Sequence, residues 1–346
     1  MSTLVLNAGS SSVKYAVFAG DVAIHRGQID RADGVHEVLD RIADPPTAVG
    51  HRLVHGGPDH TAPTLVDDAV LATLTRAIEL APLHLPVELA ALEAVRQRFH
   101  DMPQVACFDT AFHRTMPAIA HRFALPAALC DAGVRRYGFH GLSYEYIASV
   151  VATTRRAVFA HLGNGASMVA VRDGISIDTT MGFSPSGGLV MGTRSGDLDP
   201  GVLLYLLDHG YDRHGLRSLV EYNAGLTALS GGTSDMRQLL AARAHDSRAT
   251  LAIDVFCYQA RKWIGALAAA LGGLDTLVFA GGIGEHAPVI RAQICEGLGH
   301  LGIELDRNRN DDNAAVIGGG RCDVRIVKTD EEAVIARHTQ ALLSVN

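Results

Sequence analysis

The segment at residues 160–201, AHLGNGASMVAVRDGISIDTTMGFSPSGGLVMGTRSGDLDPG, constrains the fold more than any other. Asn164-Gly165 and Asp173-Gly174 are tight-turn dipeptides set between apolar runs, which predicts three antiparallel strands joined by two short turns. The N-terminus repeats the plan: a strand at 3–7, a small-residue turn at 8–12, a strand at 13–18, a Gly20-Asp21 turn and a strand at 22–28. Overlaid, Gly9 falls opposite Gly163, Asn7 opposite His161 and Ser12 near Ser167. One supersecondary unit repeated so far apart suggests two related domains, each offering a glycine-lined turn to a shared cleft. A chance likeness of two β-meanders is the alternative. The loop after the second hairpin holds one strong cation, Arg194, among small residues, where bare backbone amides let a bulky anion approach.

A chain of 346 residues with 48% hydrophobic content buries a sizeable core, and its length favours two domains over one. The net charge of -7 argues against nucleic-acid and membrane-surface partners, which are met by basic faces. Five cysteines without paired spacing suggest neither a disulfide framework nor a zinc site, and a reducing cytoplasm fits them best. No signal-peptide pattern follows Met1. The apolar stretch at 251–271 is interrupted by Asp254, Arg261 and Lys262, as in a core helix rather than a membrane span.

Between the hairpins, GHRLVHGG at 50–57 reads as a strand ending in a glycine turn. A helix at 67–80 places Val70, Leu71, Leu74 and Ile78 on one face, and Pro86 opens another with Leu89, Leu92, Val95 and Phe99. A buried strand at 105–108 delivers Asp109, and a helix at 143–153 follows the YGFHG turn. Further on, 230–237 is a polar loop opening a helix, and the strand at 277–280 runs into GGIGE. Strand, glycine turn and helix N-terminus form a geometry that accepts phosphate or approaches a nucleoside closely. The dinucleotide fingerprint and the Walker GxxxxGK[ST] pattern are both missing, which removes the two commonest nucleotide folds.

Taken together, the blocks LVLNAGSSSVKYAVF, HRLVHGG, LAPLH, FDTAFH, YGFHG, HLGNGAS, MGTRSGDLDPG, SDMR, FAGGIGEH and TDEEAVIA resemble the acetate kinase family, in the family's order from one terminus to the other. The resemblance implies an α/β fold of two duplicated actin/sugar-kinase-like (ribonuclease H-like) domains with the active site in the cleft between them. Residues 1–153 would form the N-terminal domain, with a C-terminal helix at 332–346 packing back on it, and 154–331 the nucleotide-binding domain. The implied activity is reversible, ATP- and Mg2+-dependent phosphorylation of acetate to acetyl phosphate. The implied setting is a cytoplasmic homodimer that touches neither nucleic acid nor membrane. Three other readings stay open: a propionate or butyrate kinase of the same family, an actin-like nucleotide switch without kinase activity, and an ATP hydrolase.

Phosphoryl transfer to a carboxylate asks the protein mainly for electrostatics, because charge spreads over the moving group while the acceptor is itself an anion. Two arginines facing one cleft answer that need. By resemblance these are Arg52 and Arg194, with His140 donating to the phosphoryl group and Asp109 near the acceptor or metal. Read without the resemblance, the arginines are surface ion pairs, His140 is a histidine satisfied at a helix start and Asp109 caps a turn. Val54, Leu83, Phe139 and Pro185 match the walls of an acceptor pocket around Arg52, and His84 lines the same cleft. Ser10, Ser12 and Lys14 match the first phosphate turn, His161, Asn164 and Gly165 the second, although Lys14 also reads as a solvated strand residue. Asp235, Met236, Arg237, Gly281, Gly282 and Gly284 match the adenosine end.

Asn7 and Glu331 match magnesium-linked positions, usually acting through bound water. Thr329-Asp330-Glu331-Glu332 reads as a capping box with Glu332 as the reciprocal partner, which leaves Glu331 free for the metal. The chain departs from the family at Leu85 (usually Asn), Tyr144 (usually His) and Gly187 (usually acidic). It is also shorter, mostly between the first hairpin and Gly50. These departures bear on acceptor preference and on oligomeric contacts.

Overall fold

The computed structural model describes residues 2–9, 12–31, 33–42, 44–151 and 155–344. Its strands are β1 (Ser2–Ala8), β2 (Val13–Ala19), β3 (Val22–Ile29), β4 (Ala48–Leu53), β5 (Thr64–Leu65), β6 (Gln104–Phe108), β7 (Arg156–Leu162), β8 (Ala166–Arg172), β9 (Ile175–Thr179), β10 (Thr276–Ala280) and β11 (Asp323–Ile326). They form two sheets, ordered β3-β2-β1-β4-β6-β5 and β9-β8-β7-β10-β11. In each, three antiparallel strands are followed by two parallel ones. The outer hairpins even slip register at matching points, between Val17 and Phe18 in one sheet and between Ala170 and Val171 in the other. Two unrelated meanders have no reason to share strand order, direction and bulge. The fold is the duplicated α/β architecture expected from the repeated hairpin.

The register corrects one part of the overlay. Asn7 pairs with Lys14 and His161 with Ser167. Asn7 and His161 are therefore equivalent, but the counterpart of Ser167 is Lys14, and Ser12 corresponds to Gly165. The cause is turn length: the first turn closes from the Gly9 N–H to the Ser12 carbonyl at 2.8 Å, the second from Gly163 to Gly165 at 3.0 Å, one residue shorter.

Helices cover the sheets where their apolar stripes dictate. The helix Ser247–Leu271 is capped by Asp246 and stopped by Gly272, whose φ of 71° is left-handed. It buries Ile253, Phe256, Ala260, Ile264 and Leu267 in the main core, as its interrupted apolar pattern requires. Among the described residues no helix is long and apolar enough to cross a membrane. All five cysteines are buried and free. The segment at 67–80 splits into a helix, Asp68–Arg76, and a 3-10 turn, Ala77–Leu80.

The last helix, Glu331–Ser344, lies on the first sheet, where Val334, Ile335 and Ala336 join Val5, Ala16, Phe18 and Val105. Its cap differs from the capping box read in the sequence. Asp330, not Thr329, accepts the Ala333 N–H at 2.9 Å, because its carboxylate stands one residue nearer the helix start. Glu332 turns instead to Arg26 at 3.7 Å. Beneath this helix sits Gly50 of β4, where a Cβ would come within 2.6 Å of the Ile335 side chain. We therefore expect Gly50→Val to destabilise the protein by about 1–3 kcal/mol through overpacking. A lowered midpoint in urea unfolding, with the slope unchanged, checks this.

Candidate active site

Parallel pairing of β4 with β6 sets their C-terminal ends side by side. Arg52, near the end of β4, donates from Nη2 to Asp109 Oδ2 at 2.5 Å and lies 3.5 Å by Nη1 from Glu88 Oε1. Asp109 leaves β6 with its N–H on the Leu53 carbonyl at 2.9 Å. Glu88 stands on the helix Leu85–Arg98 and accepts the Val54 N–H at 2.8 Å. Burial pushes Asp109 up to about 6 and Glu88 up to about 8, in both cases against the pull of Arg52. Burial likewise works against the charge of Arg52, but Asp109, Glu88 and Glu331 outweigh it and hold the guanidinium above its ordinary value. Glu88 is absent from the residues picked out in the sequence. Its signal is an acidic residue on the inward stripe of a helix, among Leu85, Leu92 and Val95.

His140 occupies the left-handed region, with φ 59°, and directly precedes the helix Gly141–Val150. That helix starts and ends earlier than the expected 143–153, and Thr153 lies outside the described residues. A non-glycine residue held in this conformation is a local cost that the surroundings must over-determine. They do so through Ser167, whose Oγ is 2.8 Å from His140 Nδ1, and through His161, whose ring lies 4.5 Å away at 30°. Gly165 closes the arrangement: a Cβ there would stand 2.7 Å from Arg194 Nη2 and 3.3 Å from His140 Nε2. The second turn, the arginine and the histidine thus meet at one point. Arg194 is braced by the Pro185 carbonyl, which accepts from Nη1 at 2.6 Å. Asn164 is braced by the Gly192 N–H at 2.9 Å.

The electrostatics place both arginines on one space. Burial, then His161, Arg194 and Arg52, holds His140 well below its ordinary value. Burial, then Arg52 and Arg194, brings His84 down to about 4. Arg194 itself is lowered, first by burial and then by Arg52, with Glu221 opposing. Neither arginine is a solvated surface ion pair, and His140 is a neutral imidazole at physiological pH.

Asn7 and Glu331 also meet. Glu331 accepts from Ser143 Oγ at 2.5 Å and from Asn7 Nδ2 at 3.2 Å. Burial favours its neutral form, but Arg52, the Ser143 hydrogen bond and His161 prevail and keep it below the usual carboxylate range. Burial lowers His161 as well, with Glu331 opposing. Among the described residues no three His, Cys, Asp or Glu side chains gather as a metal cage. Lys14 is exposed across the ladder from Asn7, Ser12 is half-buried in its turn, and Ser10 lies outside the described residues.

A cleft of about 540 Å3 opens beside the second turn, lined by Gly163, Asn164, Asp235, Met236, Arg237 and Gly282. Ser234, Ile283 and His286, which the sequence did not single out, line it too. Asp235 caps the helix Met236–Ala242 through the Arg237 N–H at 2.8 Å. Gly281 and Gly284 stand behind the cleft rather than on it, packed against Leu162 and Phe279 respectively. Of the four wall residues, Val54 and Phe139 are buried and Leu83 and Pro185 half-buried. Backbone bonds tie Val54 to Glu88 and Pro185 to Arg194. Tyr144 and Leu85 are both core residues, Tyr144 with its hydroxyl on Ser167 Oγ. Gly187 sits 3.5 Å by a built Cβ from Asp197 Oδ1, so an acidic residue there would face a carboxylate.

The sequence profile of the acetokinase family matches residues 31–337. An acetate kinase of Nitrobacter hamburgensis is 43% identical over 390 aligned positions, covering 99% of this chain and 96% of the relative. The crystal structure of Porphyromonas gingivalis acetate kinase superposes with a TM-score of 0.90 at 36% identity, covering 99% of each chain. A propionate kinase from Francisella tularensis gives 0.93 at 34% identity, covering 98% of this chain and 99% of the other.

The raised carboxyls have a consequence for stability. A folded-state value near 8 for Glu88 means that the native chain keeps a proton which the unfolded chain has lost above about 4.5. Its contribution is complete below that value and is lost as pH rises towards 8. Asp109 acts alike but is spent by about 6, so Glu88 alone of the two acts between pH 6 and 8. We expect Glu88→Gln to remove a stability loss on the order of 2 kcal/mol over that interval. Urea unfolding of both proteins at pH 6 and pH 8 measures it.

Proposed function

Because this chain belongs to the acetokinase family, we propose that it phosphorylates acetate with ATP, reversibly, giving acetyl phosphate and ADP. The observation that carries the reading is the meeting of Gly165, Arg194 and His140, with Arg52 charging the same space. Two guanidiniums there grip the acceptor carboxylate and the oxygens of the moving phosphoryl group, and are worth most where charge develops in a dry site. His140, neutral and oriented by Ser167, offers a hydrogen bond without adding to the cost of burying a third cation. Asp109 anchors Arg52, and Val54, Leu83, Phe139 and Pro185 wall a small acceptor. The first phosphate turn with Ser10, Ser12 and Lys14 and the second with His161, Asn164 and Gly165 hold the phosphate tail. Asp235, Met236, Arg237 and Gly282 take the adenosine, with Gly281 and Gly284 shaping the turn behind them.

Asn7 and the ionised Glu331 fit Mg2+, which dehydrates reluctantly and needs few protein ligands beside water and phosphate oxygens. When bound, the ion would offset phosphate charge; Asn7 and Glu331 would hold it. We assign residues 1–153 and the last helix to one domain and 154–331 to the other, in a cytoplasmic protein. The Francisella neighbour keeps propionate open as the acceptor. Acetate and propionate differ by one methylene, worth only ~1–3 kcal/mol of discrimination.

A homodimer is part of this proposal. The helix Pro200–Asp208 buries none of its residues, and Leu204, Tyr205 and Leu207 stand open on it. Such an apolar face is suited to a second copy.

Acceptor-dependent ADP formation with acetate, propionate and butyrate, together with hydroxylamine trapping of the acyl phosphate, tests the activity. ATP turnover with no acceptor-dependent hydroxamate would point to the nucleotide switch instead. Arg194→Ala and His140→Ala are each expected to lower turnover by ~10²–10³-fold while leaving the fold intact. Leu204→Glu should shift the molar mass in light scattering from dimer to monomer.

A further inference from the structure

A second cavity, of about 50 Å3, opens beside the β4 and β6 turns and shares none of the acceptor walls. Among its lining residues are His60, Thr110, His113, His121, Arg135 and Arg136, and no carboxylate lines it. Thr110, His113 and Arg136 are already committed, Thr110 by accepting the Gly56 N–H at 3.3 Å. His113 is 2.9 Å from Ser176 Oγ and 3.0 Å from the Phe139 carbonyl. Arg136 donates from Nη1 to the Thr179 and Thr180 carbonyls at 2.9 and 3.2 Å. Three side-chain nitrogens are not: His60 Nε2, His121 Nδ1 and Arg135 Nε are buried without a hydrogen-bond partner. Buried polar groups are almost always satisfied, so three of them around one polar cavity call for a common ligand.

The chemistry of that ligand follows from the lining. Arg135 brings a guanidinium, whose planar fork suits an oxyanion, and it lies 5.0 Å over the Tyr137 ring. Burial, then Arg135 and Arg122, lowers His121, so this imidazole sits beside the cations as a neutral group. A cavity needs about 10–15 Å3 to hold one water, so this one has room for a few waters or a single small ion. We propose that it is a second anion site, separate from the active site, which takes one tetrahedral oxyanion of the phosphate class with Arg135 and His60 as its main donors. Arg114, an exposed residue, also lines the cavity. The site joins three segments that also carry candidate active-site residues: Gly57 follows Arg52 on the β4 turn, Thr110 follows Asp109, and Tyr137 precedes His140. An anion held here ties those segments together.

The test is calorimetric titration of inorganic phosphate into the full chain carrying Arg194→Ala, which removes one of the two guanidiniums proposed to grip phosphate in the active site, so that the pocket variants decide where the remaining ion sits. One phosphate is expected to bind per chain, and adding Arg135→Met or His60→Gln should weaken it about tenfold or more. Thermal melting checks that each variant is folded, and His60→Gln decides if Arg135→Met does not fold. Glycerol 3-phosphate, run in parallel, separates the two sources of the group: binding of both assigns the head of a phosphomonoester, and binding of phosphate alone assigns the free ion. Either way the site stands. If Arg194→Ala binds no phosphate, the cavity holds water only, and if both pocket variants bind as tightly as Arg194→Ala alone, the ion sits elsewhere; each result overturns the proposal. None of these readings depends on turnover, so the kinase proposal and this one fail separately.

Discussion

A guanidinium taken out of water must find its charge balanced nearby, and Arg52 is such a guanidinium. The carboxyl groups that surround it come from three different places: Asp109 from the end of β6, Glu88 from the helix beside it, and Glu331 from the start of the last helix. Each of those groups would be costly to bury alone, and removing one would leave another uncompensated. The first sheet, the crossing helix and the C-terminal helix are therefore held in one arrangement by a single cation. That arrangement carries the proposed chemistry. Because Glu88 and Asp109 are raised by burial while Glu331 is held ionised, the three carboxyls around one arginine are not equivalent.

The second half of the site depends on the lack of a side chain. Arg194 and His140 crowd the position where a Cβ of residue 165 would be, so a glycine-lined turn can bring backbone N–H groups to an anion that both side chains also reach. The duplicated architecture makes the division of labour visible. Asn7 and His161 occupy the same place in their respective strands, one residue before the strand end. Asn7 bonds to Glu331, on the side suited to a cation, whereas the His161 ring lies tilted against His140, on the side suited to phosphate. One backbone unit, used twice, presents two different chemistries because a single side chain differs at an equivalent point.

Much of this is legible in the residue order because it is local. Tight-turn dipeptides, alternating apolar runs and small-residue loops identify both hairpins, and Asp235 and Pro86 mark helix starts that the structure keeps. The misreadings are also local in origin. Residue identity alone sets Ser12 near Ser167, yet one extra residue in the first turn shifts the pairing. Thr329 has the right spacing for a capping box, but Asp330 has the shorter reach. Glu88 leaves no local mark, because a charged residue in a helix does not by itself say which way it faces. Only the fold shows that the inward stripe faces a buried arginine there rather than a purely apolar core.

By itself, then, the order of residues determined the two glycine turns, the strand and helix types and the family likeness, because backbone preferences and apolar periodicity act over a few neighbours. Which charges share a space was decided by the tertiary structure alone. Arg52 and Glu331 are separated by most of the chain, and their coupling exists only because the last helix returns to the first sheet over Gly50. Electrostatic energy depends on distance and burial, and neither is a property of sequence separation.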